Sequence, residues 1–153
     1  MLTLPTFLAA APAAPGSGVL EGVRAVLSAG RLDISDIQKR FCVNLQPVPL
    51  SRGYAGSFES KKIGCGLPIT YVRVDTAPRG STASGWLSIW FERTACVPGD
   101  TLEAAFPGGE RTMATDTGAT VYGARIGTAD VSAIYETETS RFGCVSQLDV
   151  RLN

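Results

Sequence analysis

Histidine is absent from this 153-residue chain, and lysine is nearly so: 11 of its 14 cations are arginine. Without histidine there is no Ser-His-Asp triad, no Cys-His pair and no histidine-ligated zinc. Charge is scarce as well, at 18% of residues, and its two signs cancel. A balanced chain with scattered cations has no electrostatic footprint for nucleic acid or an anionic membrane. No apolar run reaches the ~20 residues of a membrane span. The remaining routes to catalysis are equally thin. Lys39, Lys61 and Lys62 fall outside any S-x-x-K motif. Gly64-Cys-Gly66 and Gly108-Gly109 lack the phosphate-loop pattern, and no calcium-loop spacing occurs. Glu136 and Glu138 share a strand face, but that is the ordinary look of a solvated face. The expectation is a protein that is not an enzyme and holds no cofactor or metal.

What is present argues for one folded domain. Apolar residues make up 44% of the chain, enough for a real core and too many for disorder. Seventeen glycines and nine prolines imply many turns and a β-rich fold. Residues 1–17 read as a leader: apolar, uncharged, with Ala11-Pro12-Ala13 in the small-x-small pattern of a signal-peptidase site. A basic n-region is missing, which leaves an export signal and an Ala/Pro-rich flexible leader as the two readings. The rest, 18–153, reads as a single α+β domain.

Four cysteines stand at 42, 65, 96 and 144, without a C-x-x-C pair. An even, spread set in a chain with an export-like leader points to two disulfides. Of three connectivities, Cys42–Cys65 and Cys96–Cys144 are favoured, because each closes a loop within one half of the chain. Each bridge would contribute on the order of 3 kcal/mol. With the leader, they place the protein in the periplasm or outside the cell.

The local patterns predict three helices. Leu20, Val23 and Leu27 recur at helical spacing over 18–29, with Glu21 in the first turn and Gly30 as the C-terminal cap. Asp33 caps a short helix over 34–41 with Ile34, Ile37 and Phe41 as its apolar stripe. Pro98-Gly99-Asp100-Thr101 opens a third over about 100–106. Residues 42–64 read as irregular apart from a brief extended stretch at Val43-Asn44-Leu45, and 110–117 as a mobile loop. Period-two alternation marks about five strands, near 69–75, 85–93, 119–125, 130–138 and 143–152. Together they form a single antiparallel sheet with the short helices on one face. Leu32 to Phe41 aligns without gaps on Val97 to Phe106, apolar residues and Phe matching, which divides the domain into half-units of about 31–93 and 96–153.

Binding signals concentrate on the second of these strands. Trp86 and Trp90 stand opposite Leu87, Ile89 and Phe91, with Arg93 at the strand end and Tyr71 and Arg73 on the neighbouring strand. Trp, Tyr and Arg dominate protein–protein hot spots. The pattern leaves open which face the helices cover. A second candidate is the segment with Arg52, Tyr54 and Phe58, aromatics without a periodic core partner.

The layout of the two helix starts, the strands after each and the cysteine pairs resembles that of small bacterial periplasmic immunity proteins. It also resembles the β-lactamase inhibitory proteins, which stack two helix-plus-sheet units. The likeness spans most of 30–153 in layout and almost nothing in specific sequence, so no individual functional residue carries over. It implies an envelope protein that binds and neutralises a secreted toxin or hydrolase. An envelope structural or assembly module, and a small-ligand-binding protein or cofactor-free enzyme, are the alternatives.

Overall fold

A computed structural model describes residues 13–49, 54–77, 85–137 and 143–153. The leader assigned to 1–17 lies mostly outside these residues. Three helices form where the pattern places them: α1 (Ser17–Ala29), α2 (Ile34–Phe41) and α3 (Gly99–Ala105). α1 begins early enough that Glu21 falls beyond its first turn. It ends on Gly30 at φ 64°, the left-handed cap that glycine adopts without a Cβ clash. At α2, the Asp33 carboxylate accepts the Asp36 N–H at 2.9 Å, satisfying one of the first-turn donors.

Eight strands follow rather than about five: β1 (Val43–Pro47), β2 (Gly56–Ile63), β3 (Ile69–Thr76), β4 (Gly85–Phe91), β5 (Glu110–Met113), β6 (Thr120–Ile126), β7 (Ala129–Tyr135) and β8 (Val145–Leu152). They make one antiparallel sheet in the order β1-β2-β3-β4-β8-β7-β6-β5. The five expected strands are β3, β4, β6, β7 and β8. Of the three extra ones, β1 lengthens the brief extension expected at 43–45 into a full strand, while β2 and β5 replace the expected irregular stretch and the expected loop. β1 and β5 are the two edges, and β5 is exposed at every position. β5 is held by backbone pairing to one neighbour and carries no alternation to read; β1 does alternate, with Val43 and Leu45 buried and Asn44 exposed, but over only five residues.

The order is symmetric about the β4–β8 pair. Each run of four strands follows a short helix, α2 before β1–β4 and α3 before β5–β8. Ile37 and Phe41 of the first helix, and Leu102 and Phe106 at the second, are all buried in the same apolar cluster. That cluster joins α1 (Val19, Leu20, Val23, Val26) to one face of the sheet (Val72, Val74, Leu87, Ile89, Val131, Ala133, Leu148, Val150). Gly22 of α1 makes room for the Phe41 ring, since a Cβ there would lie 2.7 Å from a ring carbon.

Both disulfides form as favoured. Cys42–Cys65 (Cα–Cα 6.0 Å) ties the end of α2 to the turn after β2. Cys96–Cys144 (Cα–Cα 5.0 Å) ties the segment before α3 to the start of β8. Among the described residues no helix is long and apolar enough to cross a membrane.

Candidate functional site

β4 decides which face of the sheet is left open. Leu87, Ile89 and Phe91 are buried against the helices, while Trp86, Ser88 and Trp90 are partly exposed on the other side. The antiparallel register then sets three cross-strand rows on the open face. One runs Asp75, Trp86, Arg151, Asp130, Arg125 across β3, β4, β8, β7 and β6. The next runs Arg73, Ser88, Asp149, Ser132, Gly123. The third runs Tyr71, Trp90, Gln147, Ile134, Val121.

Two tryptophans stand in the outer rows, each in contact with a neighbour. The Tyr71 ring meets Trp90 edge-on at 4.8 Å, and the Arg151 guanidinium lies over the Trp86 ring at 5.1 Å. Opposed pairs of this kind stabilise a sheet face and fix its side chains. At the β2–β3 side, Arg73 bridges Glu59 at 3.1 Å and Asp75 at 2.8 Å, and Ser57 donates to Asp75 at 2.5 Å. Burial alone would raise the Asp75 pKa. The hydrogen bonds from Arg73 and Ser57, with the guanidinium charge, outweigh burial and hold the carboxyl below the usual range. Burial and a hydrogen bond to the Glu59 carboxylate push the Tyr71 hydroxyl up to about 12. Two shallow hollows adjoin the third row at one end and share Glu136, Thr137 and Ser146; the first also touches Trp90 and Arg93, the second Ile134 and Val121.

The first-named sequence candidates are thus brought together. Tyr71, Arg73, Trp86 and Trp90 share the open face, and Arg93 borders it beyond the end of β4. The second set is not assembled as a loop. Phe58 lies in β2 and packs against the core from the helix-covered side, Tyr54 is partly buried just before that strand, and Arg52 lies outside the described residues.

Asp149, Arg151, Gln147 and Ser132 belong to the same face and went unassigned. The alternation of β8 sets Gln147, Asp149 and Arg151 on one side of that strand. Nothing local says that β8 lies beside β4, some 60 residues earlier, and that adjacency joins them to the tryptophans.

A second polar cluster lies at the other side of the molecule. Arg111 pairs with Glu103 and with Asp100 (2.9 Å), lies 5.1 Å over Tyr135, and the Tyr135 hydroxyl donates to Glu103 at 2.7 Å. The Arg111 hydrogen bond lowers the Glu103 pKa. Each group has a partner within the cluster, which fastens β5 and β7 to α3. Among the described residues no group of three metal-ligating side chains converges.

Compared with protein-family models, curated proteins and solved structures, the chain matches none. Fold and site define it at the level of class: an α+β protein stapled by two disulfides, with one face of an eight-stranded antiparallel sheet left uncovered by the helices among the described residues.

Proposed function

We propose that this is a non-enzymatic protein of the bacterial envelope that binds another protein through the open face of its sheet, as an inhibitor or immunity protein does. The observation that carries the reading is the placement of Trp86, Trp90 and Tyr71 on the side the helices leave bare. An apolar and aromatic patch on an uncovered face marks an interaction surface more often than it is idle. Two disulfides support an oxidising compartment. Arg73 and Asp75, already paired, would set the polar rim, where charges contribute to specificity more than to affinity.

The test is a binding measurement with the secreted toxin or hydrolase encoded beside this chain's gene. Wild-type protein is expected to form a complex and reduce that protein's activity. Trp90→Ala should weaken the complex by about tenfold or more, the typical loss for an aromatic anchor. A complex that forms equally well with Trp86→Ala and Trp90→Ala would remove the open face from the interface.

A further inference from the structure

The middle row of the open face differs from its neighbours in size. Ser88, Asp149, Ser132 and Gly123 succeed one another across β4, β8, β7 and β6, all small except Asp149. A Cβ added at Gly123 would meet nothing within 4 Å. The flanking rows carry Trp86 with Arg151 on one side and Trp90 with Gln147 on the other. Residues two apart on a strand are separated by about 7 Å, so the register sets Trp86 and Trp90 in the rows on either side of the small Ser88 row, and the difference in side-chain size makes that row the floor of a trough between them. At its β3 end the trough is closed by Arg73, whose guanidinium is taken by Glu59 and Asp75.

Asp149 lies in the floor, partly buried. Among the described residues its carboxylate meets the Gln147 amide, at 3.0 and 2.9 Å, and no cation. Arg151, two residues on along the same face, lies over Trp86 instead. One amide nitrogen leaves much of a carboxylate's accepting capacity unused. A negative charge in a slot walled by indole rings is complementary to a planar cation, which can stack on a ring and donate in parallel to the carboxylate. The Arg151–Trp86 contact shows the same stacking already in use on this face.

We propose that this trough seats an arginine side chain presented by the partner protein, with Asp149 as the charge acceptor and Trp86 and Trp90 as the walls. This rests on the protein-binding reading above and names the chemistry of the group recognised. The carboxylates of the adjoining Trp86 row, Asp75 and Asp130, are occupied by Arg73 and Arg125, which leaves Asp149 as the acceptor for an incoming cation.

The chain's only two tryptophans are the two walls, so its intrinsic fluorescence reports on the trough directly. The probe is the blocked tripeptide acetyl-Gly-Arg-Gly-amide, titrated against the disulfide-bonded protein, with the neutral citrulline peptide as its isostere. A saturable change in emission is expected for the arginine peptide at roughly millimolar concentrations. The citrulline peptide should bind about tenfold more weakly or less. Asp149→Asn should lose the arginine preference with an unchanged melting midpoint. Ser132→Arg, directly opposite Asp149 in the register, should fill the seat from within and abolish the titration. Equal binding of the two peptides, an unaffected Asp149→Asn protein, or no saturable signal would overturn the proposal. The partner complex separates the two readings. If Trp90→Ala weakens it and Asp149→Asn does not, the open face binds a protein but without an arginine in this seat. If neither does, and Trp86→Ala leaves the complex intact as well, the face itself is not the interface.

Discussion

Trp86 and Trp90 stand on the same strand as Leu87 and Ile89, yet truncating them has different physical consequences. Ile89 is fully buried, and Ile89→Ala leaves a cavity in packed surroundings at a cost of about 2–5 kcal/mol. Trp86 and Trp90 are partly exposed on the opposite face, where each also makes a ring contact, with Arg151 and Tyr71. Their replacement by Ala removes a ring contact and partial burial but leaves no enclosed cavity, so it should cost less than Ile89→Ala. Chemical denaturation of the three variants checks the difference; equal losses would mean that the tryptophans are core residues. At Asp75 the folded-state pKa is depressed. Its stabilising contribution is therefore present above the unfolded pKa of about 3.9 and is lost as pH falls through the lower folded value. Wild type should exceed Asp75→Asn in stability at pH 6, and the gap should narrow at pH 3. A gap independent of pH would mean that the Arg73 pair contributes nothing through charge.

Among the elements, α2 shows how far local signals reach. Its N-cap, its stripe and its end at Phe41 are all written within ten residues, and Asp33→Ala should destabilise the protein by about 1 kcal/mol, measurable by thermal melting. Restoration by Asp33→Ser would tie the loss to the cap rather than to charge. The five strands with clear alternation were legible for the same reason, since a half-buried strand in a sheet with one covered face must alternate. β5 had nothing to read. Glu110, Arg111, Thr112 and Met113 are all exposed, and the strand exists because β6 offers a free edge and Arg111 is held by Glu103. β2, Gly-Ser-Phe-Glu-Ser-Lys-Lys-Ile, is polar enough to pass for a loop, and its pairing with β1 and β3 supplies what its side chains do not. Phe58 looked like a loop aromatic until that pairing turned it towards the core.

At the scale of the whole molecule, the two disulfides close loops of 23 and 48 residues, one in each half of the chain. Restricting the unfolded chain this way contributes roughly 3 and roughly 4 kcal/mol. Thiol titration of the denatured, unreduced protein should find no free thiol, and reduction should lower the melting temperature sharply. Four free thiols would remove both the stability argument and the oxidising compartment.

Helix positions, the covered period-two strands and the cysteine pairing were legible because each rests on neighbours within a few residues or on loop closure within half the chain. The edge strands, the face the helices choose and the seat around Asp149 were not. The edge strands exist through pairing with β2 and β6, and the seat depends on β8 inserting beside β4, which brings Gln147, Asp149 and Arg151 alongside Trp90, Ser88 and Trp86. The alternation of β4 fits burial of either side, and the helices packing on Leu87 and Ile89 are what left the tryptophans partly exposed on the opposite face.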